Sequence, residues 1–220
     1  MFIKEQLILD LRSLPAMGRN DYFVSKANAD AVNWIDMWPN WPSLGLIVNG
    51  KRGSGKSHLA EVLKGVSKGK IVFAKNINKN NIAKLFKIKC IIIEDLELLK
   101  SENALFHLYN MCAENNNKIM ITSNIPITLI NFKLLDLKSR LLSLPSANIN
   151  FPDDILLTNI IIKQFFDRGV KIDKEVVKFL LKRVDRSFDS IYDLVSKIDF
   201  KSVEKSRKIT IPFVKKFIKD

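Results

Sequence analysis

The feature that most constrains this chain is residues 50–57, whose sequence Gly-Lys-Arg-Gly-Ser-Gly-Lys-Ser fills every position of the phosphate-binding pattern G-x-x-x-x-G-K-[ST]. The apolar residues 44–48 before it predict a buried strand, and the helical periodicity from Ser57 onward predicts a helix. A strand, a glycine-rich loop and a helix in this order direct backbone N–H groups and a helix N-terminus at phosphate oxygens. The sequence therefore predicts a nucleotide-binding protein, and a chance glycine-rich turn is the alternative.

The residue types in this loop assign its contacts. Lys56 is predicted to reach the β- and γ-phosphates of ADP or ATP, and Ser57 to supply a hydroxyl to Mg²⁺. His58 comes next, and we expect it on the helix surface rather than as a metal ligand. The predicted nucleotide-binding set from this stretch is Gly50, Gly53, Ser54, Gly55, Lys56, Ser57 and His58.

Two carboxylates follow a second apolar run. Residues 90–93 are Cys-Ile-Ile-Ile, which predicts a buried parallel strand that carries Glu94 and Asp95 to its end beside the loop. In such sites the first acid usually holds Mg²⁺ and the second polarises the attacking water, so Glu94 is the predicted metal ligand with Ser57, and both acids are predicted catalytic residues. The order Glu then Asp changes the reach of both side chains, so we expect nucleotide binding but only weak hydrolysis. An acidic turn closing a core strand is the alternative.

The remaining pattern predicts two domains. Residues 118–124 predict a short buried strand that ends at Asn124, a candidate to orient the attacking water. Strands near 71–74 and helical stretches near 82–86 and 104–112 complete a doubly wound parallel sheet. Beyond residue 151 the pattern is helical only, over residues 155–166, 174–184, 188–198 and 212–218. We therefore predict an N-terminal peptide and linker (1–20), an α/β nucleotide-binding domain (21–151) and a small all-helical domain (152–220).

Composition narrows the class of protein. Lys and Arg number 36 against 23 Asp and Glu, a net charge of +13 that raises the question of nucleic acid, although the excess is spread along a chain rich in Lys, Asn and Ile. Cys90 and Cys112 match no metal or redox spacing, which predicts buried free thiols in a reducing compartment. The absence of a signal-peptide pattern and of an apolar run near 18 residues predicts a cytoplasmic protein without a membrane partner.

Basic side chains cluster near the C-terminus of the chain. The basic residues near the C-terminus are Lys197, Lys201, Lys205, Arg207, Lys208, Lys215, Lys216 and Lys219. They are candidates to contact DNA phosphates, and the favoured alternative is the solvated face of the helical domain.

The order of these features resembles the AAA+ ATPases, in particular the DnaA branch and its Hda-type regulators. The resemblance rests on the phosphate-binding loop and the acids that follow the second apolar run, on Arg140 before the helical domain, and on Arg186 at the start of one of its helices. It also rests on residues 22–29, 34–39, 55–59, 179–186 and 207–215. It implies an AAA+ P-loop sheet domain followed by a helical lid. It also implies that Arg140 acts as an arginine finger toward a neighbouring subunit and that Arg186 contacts the bound nucleotide from the lid.

A short segment at the start of the chain resembles the bacterial sliding-clamp peptide of QLxLxL type. Residues 6–11 are Gln-Leu-Ile-Leu-Asp-Leu, in which Leu side chains at alternate positions can fill apolar pockets while the Gln amide bonds at the pocket edge. The predicted clamp-binding residues are Gln6, Leu7, Leu9 and Leu11. An amphipathic strand or helix start is the alternative.

Together these features favour an adaptor that docks on the DNA-loaded clamp of DNA polymerase III, contacts DNA only through it, and offers Arg140 to the ATP site of DnaA, which limits re-initiation of replication. A homo-oligomer is possible. The alternatives are a DNA-stimulated AAA+ ATPase resembling a helicase loader, and a clamp recruitment module with a structural nucleotide. The connection over residues 74–90 is short for the helical insert with which loaders steer single-stranded DNA, and we expect no domain that reads an origin sequence.

Overall fold

The strands of the protein form one parallel sheet in the computed structural model, which describes residues 17–85, 87–205 and 207–218. The predicted clamp-binding residues Gln6, Leu7, Leu9 and Leu11 lie outside the described residues. The strands are β1 (Gly45–Gly50), β2 (Lys70–Phe73), β3 (Cys90–Glu94), β4 (Lys118–Ser123) and β5 (Ser146–Ile149).

The order of the strands brings the predicted motifs to one edge. The order is β2-β3-β4-β1-β5, and every neighbouring pair is parallel. In the register of β1 and β4, Asn49 lies beside Ser123. Because the carboxyl ends of parallel strands share an edge, the loop after β1, the acids at the end of β3 and Asn124 after β4 lie together. The predicted α/β fold with a parallel sheet is confirmed.

Helices cover both faces of the sheet and form the lid. Those around the sheet are α1 (Ala29–Asp36), α2 (Lys56–Ser67), α3 (Lys79–Leu85), α4 (Glu102–Glu114) and α5 (Leu135–Leu142). Those of the lid are α6 (Asp154–Phe166), α7 (Lys174–Leu181), α8 (Phe188–Glu204) and α9 (Ile211–Val214). The sequence-based prediction lacks α1, α5 and β5, which have eight residues or fewer and are shorter than the window over which hydrophobic periodicity is informative.

The ends of three lid helices differ from the prediction. Helix α7 ends at Leu181, because the N–H groups of Arg183 and Val184 both donate to the carbonyl of Leu180 in a closing turn. Helix α8 continues to Glu204, with Ser202 buried one turn after the buried Ile198. Helix α9 ends at Val214, after which the chain continues as turns.

Alternation along the central strands produces two core layers. Leu46, Val48 and other residues of the sheet face α1 and α2, while Ile47 and Ile93 face α4 and α5. The side chains of β3 from Cys90 to Ile93 are fully buried. Burial of each such aliphatic side chain stabilises the fold by about 1.5–3 kcal/mol, so the central strands hold the polar residues at their ends on a rigid support.

All three tryptophans of the chain lie in one cluster beside α1. The rings of Trp34 and Trp38 both meet that of Trp41 edge to face, at centroid distances of 6.4 and 5.4 Å. The indole N–H of Trp41 also donates to the carbonyl of Trp34 at 2.6 Å. This cluster packs on the α1 side of the sheet.

The lid has a core of its own. Phe165 of α6, Leu180 of α7 and Ile198 of α8 are buried together with Val214 of α9. The side chains of Asp153 and Ser187 cap the N-termini of α6 and α8 by accepting backbone N–H bonds. No helix in the described ranges is both long and apolar enough to cross a membrane.

Candidate nucleotide-binding site

The phosphate-binding loop connects the end of β1 to the start of α2. Gly53 and Gly55 adopt positive φ angles of 73° and 94°, which side chains of L-residues rarely allow. A Cβ atom at Gly55 would lie 3.1 Å from the ring and hydroxyl of Tyr22, so the loop also has no space for a side chain there. The loop therefore exposes backbone, as its predicted role requires.

Lys56, the first residue of α2, is buried, with 6% of its surface exposed. Its Nζ donates to the carbonyl oxygens of Gly50 at 2.8 Å and Lys51 at 3.0 Å, and to Asn124 Oδ1 at 2.8 Å. Burial lowers the pKa of Lys56, and the nearby carboxylates of Glu97 and Asp95 oppose that shift. The ammonium group is thus held at the mouth of the loop by oxygen atoms that a phosphate group can replace.

The two predicted acids have different environments. Glu94 is buried, and the hydroxyl of Ser57, the other predicted metal ligand, is near enough to its carboxylate to influence its pKa. Burial raises the pKa of Glu94, the nearby Ser57 hydroxyl lowers it, and the neighbouring Asp95 raises it further. Asp95 has a left-handed backbone with φ of 58°, and its N–H donates to Thr122 Oγ1 at 3.3 Å. This turn points the chain away from the strand directly after the acids.

Sequence patterns missed a third acid, Glu97, which orients Asn124. The Glu97 carboxylate accepts hydrogen bonds from Ser123 Oγ at 3.0 Å, from the N–H of Asn124 at 3.2 Å and from Asn124 Nδ2. Burial alone would raise the pKa of Glu97, but its backbone and side-chain hydrogen bonds outweigh burial and lower it. The Asn124 amide thereby connects Glu97 to Lys56. The only signal in the sequence is an acid two residues after Asp95.

The lid reaches the loop through the start of α8. A Cβ atom at Gly53 would lie 2.8 Å from Asp189 Oδ1 and 3.0 Å from Phe188 Cβ. Arg186, two residues before α8 starts, forms an exposed ion pair with Asp154 of α6, at 3.2 Å between Nη2 and Oδ1. The structure thus places Arg186 close along the chain to residues that touch the loop. The sequence patterns did not indicate Asp189.

His58 is half-buried on α2, not on a fully solvated surface. Its Nε2 lies 3.0 Å from the carbonyl oxygen of Gly18, and its ring meets the Tyr22 ring edge to face at 5.0 Å. Burial lowers the pKa of His58, and the Gly18 contact opposes this shift. The contacts of His58 join the segment before α1 to the helix that follows the phosphate loop.

Arg140 lies on the exposed surface of α5. Its Cζ is 5.4 Å from the ring centroid of Phe106 and 5.6 Å from that of Tyr109, both on α4. Across the described residues Arg140 forms no ion pair. Cation–π contacts hold the guanidinium in place while its N–H donors stay available.

The residues present fit a bound nucleotide. Among the described residues, the buried hydroxyl of Ser54 in the loop has no hydrogen-bond partner, and a buried polar group normally has one. The positive-φ glycines, the N-terminus of α2 and the Lys56 ammonium all favour an anion at the same point. These features suit the phosphate groups of ADP or ATP.

Comparisons with known proteins concern the fold and the lid. Residues 158–218 match the family model described as Hda, lid domain. Domain III of the replication initiation protein DnaA from Thermotoga maritima superimposes with a TM-score of 0.79 at 18% identity, over 94% of this chain and 99% of that chain. AMPPCP-bound DnaA from Aquifex aeolicus gives a TM-score of 0.69 at 17% identity, over 84% of this chain and 65% of that one.

A branch migration motor shares the architecture. The Thermotoga maritima RuvB Holliday junction branch migration motor superimposes with a TM-score of 0.62 at 16% identity, over 79% of this chain and 60% of that chain. At these identities the superpositions establish the fold, and the family match covers the lid. The chain therefore shares the fold of DnaA domain III, and its residues 158–218 match the model of the Hda lid domain.

Proposed function

We propose that this protein is a nucleotide-bound regulator of replication that promotes hydrolysis of DnaA-bound ATP while docked on a DNA-loaded sliding clamp. The Hda-type lid and the DnaA-like fold support a DnaA-related replication regulator. The clamp-binding and hydrolysis steps rest on residues 6–11 and on Arg140.

The proposed nucleotide site uses the loop and one lid residue. The backbone N–H groups of the loop and Lys56 would hold the phosphates of ADP or ATP, and Arg186 would contact them from the lid. Ser57 and Glu94 would hold Mg²⁺; the described residues contain no cluster of three His, Cys, Asp or Glu side chains suited to a metal, so nucleotide oxygens would complete its coordination. When bound, the nucleotide supplies the negative charge that the loop lacks.

Hydrolysis by the chain itself is expected to be weak. Glu94 is buried with a raised pKa, and Asp95 reaches less far than a Glu would. Asn124 is bonded on both sides of its amide, to Lys56 and Glu97. These contacts suit a site that holds a nucleotide more than one that turns it over rapidly.

The observation that supports the proposal most is the exposure of Arg140 and the contacts of its guanidinium. This guanidinium is exposed, is supported by Phe106 and Tyr109, and has no carboxylate partner within the described ranges. The chain's own phosphate loop already has Lys56 as its cation. A supported and unused guanidinium suits the developing negative charge of a phosphoryl group in a second protein.

The test is hydrolysis of DnaA-bound ATP with clamp-loaded DNA and nucleotide present. Arg140→Ala should abolish the stimulation, because arginine fingers contribute about 10³–10⁵-fold to such reactions. Lys133→Ala, which removes a nearby exposed charge just before α5, is the matched control and should stimulate like the parent protein. Normal stimulation by Arg140→Ala with intact clamp binding would refute the finger role.

A second variant tests the clamp. Gln6→Ala with Leu9→Ala should abolish stimulation and clamp binding while nucleotide binding persists. Unchanged DnaA turnover with tight binding of DnaA and clamp by the parent protein would instead indicate a recruitment module. Substantial DNA-stimulated turnover without clamp would indicate an autonomous ATPase.

A further inference from the structure

A cleft on the lid, distant in sequence from the phosphate loop, presents two cations around one aromatic ring. Its volume is about 230 Å³, and it is lined by Phe179 of α7, by Arg183 just after α7, and by Lys215 and Ile218 after α9. Arg183 and Lys215 are both exposed. Neither residue takes part in the contacts described for the nucleotide site.

The guanidinium of Arg183 is fixed but its donors are unused. Its Cζ lies 4.0 Å from the centroid of Phe179, a stacking distance, and Lys215 Nζ lies 5.9 Å from the same centroid. Through the part of the chain that the structure describes, neither side chain has a hydrogen bond or an ion pair. Stacking consumes the flat face of a guanidinium and leaves its N–H edge available to an anion.

The basic segment that supplies Lys215 and Ile218 to the cleft favours a polyanion over a single carboxylate. Residues 205–218 contain five basic side chains, Lys205, Arg207, Lys208, Lys215 and Lys216, and no acidic one. Arg183 and Lys215 lie at the same aromatic ring, so their like charges repel each other, and a bound anion removes this repulsion. An acidic side chain of a protein would neutralise one or two of these charges, whereas duplex DNA carries one phosphate charge per about 1.7 Å of axis.

We propose that this cleft, formed by Phe179, Arg183, Lys215 and Ile218, is a DNA phosphate-binding site. The Arg183 fork binds two oxygens of one phosphate, Lys215 contacts a neighbouring one, and the apolar floor excludes water beneath them. Such contacts position the lid on DNA without reading its sequence. The proposal adds direct DNA contact to the proposed function and does not depend on the clamp or on DnaA.

Fluorescence anisotropy of a labelled duplex of about 30 base pairs, titrated with the full chain alone over a range of KCl concentrations, tests the site. Arg183→Gln with Lys215→Gln should weaken binding at least tenfold and reduce the slope of log affinity against log salt by about two, one for each lost phosphate contact. Lys79→Gln with Lys84→Gln removes the same charge from α3 and should change affinity less than about twofold. Thermal melts establish that both variants fold.

A third variant separates a positioned arginine from bulk charge. Phe179→Leu keeps both cations and removes the ring that orients them, so affinity should fall severalfold while the salt slope stays unchanged. The proposal would be overturned if the parent protein did not bind the duplex at low salt. Equal losses of affinity in the Arg183/Lys215 and Lys79/Lys84 variants would also overturn it. Unchanged DNA affinity with loss of clamp or DnaA binding in the Arg183/Lys215 variant would show that the cleft docks an acidic protein instead.

Discussion

Lys56 in the phosphate loop and Arg140 on α5 are both cations expected at nucleotide phosphates, yet they are held in opposite ways. Lys56 is buried and bonded to two carbonyl oxygens and an amide oxygen. Arg140 is exposed and held by two aromatic rings, which leave its N–H donors free, and Arg183 on the lid is held in the same manner. Oxygen ligands occupy the N–H donors of a cation within the chain's own site. Aromatic contacts leave the N–H donors available to another molecule.

The largest expected effect on nucleotide affinity concerns Lys56, the buried cation of this comparison. Lys56→Ala should weaken ADP binding by about a hundredfold, because it removes charge-assisted hydrogen bonds worth about 1.5–3 kcal/mol each. Arg140→Ala should leave ADP affinity within about twofold. Isothermal titration calorimetry with Mg²⁺ measures both, and a similar loss in the two variants would mean that Arg140 serves the chain's own nucleotide.

A second expectation compares Gly53 in the phosphate loop with Gly65 in helix α2. Gly53→Ala should destabilise the protein by at least about 1 kcal/mol, because φ is 73° and the new Cβ would meet Asp189 and Phe188 of the lid. Gly65→Ala, in the interior of α2 with open space around it, should stabilise by about 0.5–1 kcal/mol. Urea unfolding gives both values. Equal effects would show that the lid does not constrain the loop.

The smallest expected effect concerns Glu97. The folded-state pKa of Glu97 is lowered, so its carboxylate stabilises the fold above its unfolded-state pKa of about 4.3, and this contribution is lost as pH falls through the folded-state pKa. Glu97→Gln should therefore lower Tm at neutral pH, with a difference from the parent protein that shrinks below about pH 4. It should also weaken ADP binding a few-fold by misorienting Asn124.

Melting curves between pH 7 and pH 3 measure this difference, with Glu114→Gln at the exposed end of α4 as the control. A Tm difference that stays constant over the whole range would argue against a role for the Glu97 charge. An ADP affinity equal to that of the parent protein would remove Glu97 as a positioning residue for Asn124.

The sequence predicted the parts of the site that are continuous in the chain. The loop over residues 50–57, the acids after β3 and Asn124 after β4 each follow a strand that hydrophobicity identifies, and the parallel sheet brings them together. The roles of Glu97 and Asp189 were not predicted, because both depend on contacts between residues far apart in the sequence. Glu97 meets Asn124 only after a left-handed turn at Asp95, and Asp189 meets Gly53 only when the lid folds over the loop. Neither long-range contact leaves a local pattern.

The tryptophan cluster beside α1 gives the molecule an optical asymmetry. Trp34, Trp38 and Trp41 all belong to the sheet domain, and residues 152–220 contain no tryptophan. Tryptophan fluorescence therefore observes only the sheet domain, while far-ultraviolet circular dichroism also observes the helices of the lid. The protein thus carries its own means of telling whether the two domains melt as one cooperative unit or in succession.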